Sequence, residues 1–146
     1  HNRNEIISIA RRNLLRNYVS VARATTTGVW HTKKESEKPR EGVELDLNAL
    51  WNFIVLGEKT TSMFEGWLES GPSVFTIDYA DLFQASGALS EKAAAGIERI
   101  SGLTGLSEVK TDFVKLTSHS LQQAISNFDA VSEKLNGTKY EWMLKD

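Results

Sequence analysis

The stretch SEVKTDFVKLTSHSLQQAISNFDAVSEKLNG, residues 107–137, decides the fold. Val109, Phe113, Leu116, Ser120, Ala124, Val131 and Leu135 recur at the spacing of one helical seam, and Leu121, Ile125 and Phe128 widen it. Ser107 caps this predicted helix and Asn136-Gly137 stops it. So broad an apolar arc touches two neighbouring helices, which is the requirement of a bundle.

The upstream segments fit the same scheme. Ser90 opens a helix as N-cap, with Glu91 in its first turn and Leu89, Ala93, Ile97 and Ile100 as its stripe; Gly102 and Gly105 end or hinge it. Ser73–Ser86 is short and aromatic and reads as a helical segment from Asp78 to Ala85, capped by Gly87. Val74–Ile77 also fits a small strand, but one without an evident partner. A longer helical region runs from Asp46 to Ser70, where Gly71-Pro72 terminates it. There Leu47, Leu50, Trp51 and Ile54 share one face, whereas Leu56, Met63, Phe64 and Trp67 fall roughly opposite, so a kink or break is expected at Gly57. Glu5–Ala24 carries Ile7, Ala10, Leu14, Tyr18, Val21 and Ala22 on one side and ends at Thr25-Thr26-Thr27-Gly28.

Between these first two helices, residues 31–44 hold no apolar side chain before Val43 and read as a flexible, solvated crossover. The prediction is an all-α chain: a single domain over 1–146, four to five helices in an antiparallel bundle, with a long polar linker after helix 1. The apolar C-terminal segment, Tyr140–Leu144, folds back on the bundle or docks elsewhere.

The totals agree with a globular protein. At 146 residues, 40% hydrophobic and 25% charged, the chain is ordinary in composition, and that length buries roughly two-thirds of the unfolded surface. Cysteine is absent, which removes disulfides, thiolate nucleophiles and cysteine metal sites, and leaves the compartment open. The longest apolar run, Phe53–Leu56, is far below the ~18–20 residues of a membrane helix. His1 rather than Met at the start is what a processed or excised product would show. Asn136-Gly137-Thr138 matches a glycosylation acceptor pattern but reads as a helix end.

No motif names a reaction. A Glu-x-x-His pair, a His-Glu-x-x-His zinc site, a Gly-x-Ser-x-Gly elbow and both glycine-rich phosphate loops are all missing from the sequence. His119 lies on the polar side of the last predicted helix. Carboxylates pair at Glu65/Glu69, Asp78/Asp81, Glu108/Asp112 and Asp129/Glu133, but polar or helix-start neighbours keep them hydrated; Asp78/Asp81 has the most apolar surroundings. No catalytic residue, metal ligand or cofactor is assigned, and the chain is read as a non-enzyme.

Charge is the strongest signal that bears on partners. Residues 1–40 balance at +6 and residues 41–146 at −8. On a single first helix Arg12, Arg16 and Arg23 fall within about 40° of one another, opposite the apolar stripe. The acidic remainder would repel a polyanion, which argues against nucleic acid and leaves an anionic membrane surface as a weaker alternative. Trp30 and Trp142 border irregular segments and are the aromatic interface candidates. The leading expectation is a helical interaction or assembly module that binds a protein partner or itself through Arg12, Arg16, Arg23, Trp30 and Trp142. One alternative is a secreted helical effector or toxin domain acting on a host protein or membrane. Another is a small-ligand sensor or carrier with a pocket lined by Trp51, Phe64, Trp67, Tyr79 and Phe83.

Overall fold

A computed structural model describes residues 5–30, 42–69, 73–111 and 120–145. Its elements, in order, are β1 (Ile6–Ala10), α1 (Leu14–Thr27), α2 (Leu47–Glu69), β2 (Val74–Asp78), α3 (Glu91–Ser101), α4 (Leu121–Ala124) and α5 (Phe128–Leu135), with short 3-10 turns at Tyr79–Asp81, Leu106–Glu108 and Glu141–Leu144. The chain divides into two compact units, one of His1–Arg12 with Thr60–Asp112 and the other of Asn13–Lys59 with Phe113–Asp146.

The all-α expectation is overturned. Among the described residues β1 and β2 form a two-stranded parallel sheet, so the chain is mixed α/β and not an antiparallel helical bundle. Two local causes account for the correction. Ile6, Ile7 and Ile9 are β-branched and sit easily on a pleated strand. Helix α1 cannot begin before Asn13, whose side-chain oxygen accepts the Arg16 N–H at 3.1 Å and caps it. The predicted first helix therefore splits into a strand and a shorter helix. The partner that Val74–Ile77 lacked in the sequence is this N-terminal strand, paired Ile6 to Val74 through Ala10 to Asp78.

In the first unit the sheet packs on α3. Ile77, Leu82, Leu89, Ala93 and Ala94 form its core, with Phe75, Phe83, Ile97 and Leu106 against them. Ser90 caps α3 as expected, accepting the Ala93 N–H at 3.2 Å. Beyond Asp81 the expected helix to Ala85 gives way to strand-like bridges, Phe83 with Leu89 and Ala88 with Lys110.

In the second unit Leu15 and Val19 of α1 and Leu50 and Ile54 of α2 meet Leu121, Ile125, Val131 and Leu135. The C-terminal segment closes over this core: Tyr140 and Met143 are buried, and Asn13 Nδ2 donates to the Met143 carbonyl at 3.0 Å. The expected last helix is not continuous. Lys110 lies in a bridge, residues 112–119 with His119 lie outside the described residues, and the helical spacing resumes as α4 and α5. Between those two, Ile125 is extended (φ −120°, ψ 117°) and bridges Val43. Ser120 caps α4, its hydroxyl accepting the Gln123 N–H at 3.3 Å, and Asn127, which precedes α5, turns its side-chain amide to the backbone of Leu45 instead of continuing a helix. Most of the predicted linker, residues 31–41, lies outside the described residues, but Val43 near its end is buried.

Helix α2 runs unbroken through Gly57. A β-carbon there would come within 3.0 Å of Leu14 Cδ1, so the glycine admits a neighbouring side chain and does not end the helix. Among the described residues no helix is long and apolar enough to cross a membrane.

Candidate interaction surface

Of its 23 residues α2 buries only Leu50 and Ile54. Leu56, Met63, Phe64 and Trp67, the residues that the sequence placed opposite Leu50, are all exposed. Within the first unit Met63 is 68%, Phe64 44% and Trp67 54% accessible, figures that set these side chains apart from any core role. Spacings of three and four bring the three onto one side of the helix. The Phe64 and Trp67 rings lie 5.7 Å apart between centroids, tilted by 31°, so part of the patch is ordered by ring-on-ring contact.

The basic ridge does not persist as three arginines on one helix face. Arg12 precedes α1 and is exposed, with Nε 3.8 Å from Asp78 Oδ2. Arg16 is half-buried on α1. Arg23 is only 1% exposed; its Nη2 donates to the Ala124 carbonyl at 3.4 Å, and burial pushes its pKa down. Arg23 sits on the side of α1 that holds Leu15 and Val19, so its charge is part of the second unit's interior. Trp30 and Trp142 are both exposed.

The five residues of the expected pocket are dispersed. Trp51, in the second unit, is half-buried and edge-on to Tyr140 at 5.5 Å, with Lys134 Nζ 5.6 Å from its ring. Phe64, Trp67, Tyr79 and Phe83 belong to the first unit. Tyr79 is exposed beneath the Arg11 guanidinium, 4.6 Å from its ring centroid, and Phe83 packs on the core beside α3. Asp78, of the carboxylate pair with the most apolar sequence neighbours, accepts the Ala80 N–H through Oδ1 at 2.9 Å and faces Arg12 through Oδ2, while Asp81 is exposed. Among the described residues no three His, Asp or Glu side chains gather closely enough to hold a metal ion.

One polar cluster joins residues that no sequence spacing brings together. In the second unit Lys139 Nζ lies 2.7 and 2.6 Å from the two Glu58 oxygens, and the Tyr140 hydroxyl donates to Glu58 Oε2 at 2.7 Å. These donors hold the Glu58 carboxyl below its ordinary range, and the same contact raises Lys139. Burial, then the adjacent carboxylate, raises Tyr140. The three groups satisfy one another and tie α2 to the C-terminal turn. Comparison with protein-family models, with curated proteins and with solved structures finds no match.

Proposed function

We infer that the chain is a protein-interaction module without catalytic activity of its own, and that Met63, Phe64 and Trp67 form its contact surface. The observation that carries this reading is the exposure of three large apolar side chains on one side of α2 within a chain that has ample core elsewhere. Leaving such surface wet is unfavourable by roughly 25 cal/mol per Å², so an exposed cluster of this kind marks a place where a partner removes water. Trp and Met are enriched where protein partners meet, and a helix presenting them at three- and four-residue spacing suits a groove or another helix. The basic residues then assist only locally, since Arg12 is exposed and Arg23 is not.

The test is retention of partners from the native source by the wild-type chain beside a Met63→Ser/Trp67→Ser variant of unchanged circular dichroism. Loss of a specific protein from the variant alone is the expected result. Identical sets of retained proteins would remove this face from the account.

A further inference from the structure

Strand β1 has only one neighbour among the described residues. The Ile6 N–H donates to the Ser73 carbonyl at 3.0 Å, so Ile6, Ser8 and Ala10 direct their backbone groups toward β2. By the two-residue period of a strand, Ile7 and Ile9 direct theirs to the opposite edge. Their side chains share a face with Phe75 and Ile77, their register partners, yet Ile7 is 37% and Ile9 54% exposed while Ile77 is buried. Among the described residues no second strand pairs with that edge, which lies beside two partly wet isoleucines, the arrangement that accepts another strand.

The sequence around this edge is complementary to itself. Glu5-Ile6-Ile7-Ser8-Ile9-Ala10-Arg11 turned antiparallel about Ser8 sets Ile7 opposite Ile9, Ile6 opposite Ala10 and Glu5 opposite Arg11. All the outward-facing residues of that register are the odd-numbered ones. Ile7 and Ile9 of the two copies would thus exchange N–H···O=C bonds as hydrogen-bonded pairs, with Ser8 facing Ser8 in the wider spacing. The four isoleucines lie side by side on one face, and continuing the register one residue beyond each end of the strand sets Glu5 opposite Arg11, whose guanidinium also stacks on Tyr79 of its own chain. A two-fold axis through Ser8 generates every contact twice, as a closed dimer requires. We propose that the chain forms a homodimer by antiparallel pairing of β1 with β1 of a second copy, in the register Ile7 to Ile9 and Glu5 to Arg11, giving a four-stranded sheet. This surface is separate from the α2 face and does not depend on it.

Sedimentation equilibrium of the full chain across a concentration series reads the proposal. Wild type moves from monomer to dimer mass, and Ile9→Lys, at a site already half in water, stays monomeric with unchanged circular dichroism. Glu5→Arg and Arg11→Glu each raise the dissociation constant by about tenfold, and the Glu5→Arg/Arg11→Glu double variant returns it to near the wild-type value. In hydrogen exchange the Ile7 and Ile9 amides gain protection with concentration. The Met63→Ser/Trp67→Ser variant dimerises like wild type, so failure of the α2 reading leaves this result unaffected. A wild-type chain that remains monomeric to about 1 mM overturns the proposal. So does a dimer that survives Ile9→Lys, or a charge-swapped double variant no better than the single ones.

Discussion

Asn127 grips Leu45 with both ends of its side-chain amide: Oδ1 accepts the Leu45 N–H at 3.0 Å and Nδ2 donates to the Leu45 carbonyl at 2.9 Å. The amide acts as one rung of a strand ladder, next to the Val43–Ile125 bridge where Val43 exchanges backbone bonds with Ala124 and Ser126. Leu45 is buried, so its backbone groups have little water to fall back on. Asn127→Ala is expected to destabilise the chain by about 2 kcal/mol, the cost of stranding a buried donor and acceptor. Asn127→Asp keeps the acceptor alone and should fall between the two in urea unfolding.

Phe75 and Gly96 make the corresponding contact in the first unit. A β-carbon at position 96 would clash with Cζ, Cε1 and Cε2 of the Phe75 ring, so the absence of a side chain on α3 is what lets β2 pack there. Gly96→Ala should cost about 3 kcal/mol despite the better helix propensity of alanine, because overpacking outweighs a gain of about 1 kcal/mol. Phe75→Leu in the same chain should recover part of the loss, a coupling measurable by a double-mutant cycle.

The cluster of Glu58, Lys139 and Tyr140 gives stability a defined pH dependence. Glu58 has a folded pKa below its unfolded value, so its contribution is present above the ordinary carboxylate range and is lost as pH falls through the depressed folded value. Lys139 and Tyr140 have raised folded pKa values, so their contribution is present below 10 and is lost as pH rises through the folded values. Tyr140→Phe should remove the hydroxyl part of the alkaline loss and weaken the acid limb. Thermal unfolding from pH 3 to 11 checks both limbs; an unchanged profile in that variant contradicts the assignment.

Because Met63, Phe64 and Trp67 are exposed, replacing any one by Ser should change stability by no more than about 0.5 kcal/mol. Leu15→Ala or Ile54→Ala, by contrast, removes fully buried methyl groups and should cost about 3 kcal/mol. Parallel denaturant titrations of the five variants separate surface from core.

Much of the helix punctuation was legible in the residues themselves. Ser90 caps α3, and α1 and α3 end at Gly28 and Gly102, both left-handed with φ near 70°, where glycine carries no steric penalty. The parallel sheet was not legible, because Ile7 and Ala10 fit a helical stripe as well as a strand and the partner Val74–Asp78 lies beyond two helices. Local periodicity carries no information about such a distant pairing. The burial of Arg23 was hidden for a related reason: once Glu5–Ala10 leaves the helix, the side of α1 that faces the core is set by Leu15 and Val19. At Gly57 the change of apolar face reads in the sequence as a kink or break, whereas α2 is one helix from Leu47 to Glu69 on which Leu56, Met63, Phe64 and Trp67 are exposed.

The role of the α2 face is tested most directly by replacing Phe64 with a photoreactive benzoyl-phenylalanine and irradiating the chain in extract from its native source. The account predicts a covalent adduct with a discrete protein at that position, and none from the same group at exposed Lys92 on α3. Adducts of equal yield at both positions, or an adduct at Lys92 alone, would contradict it.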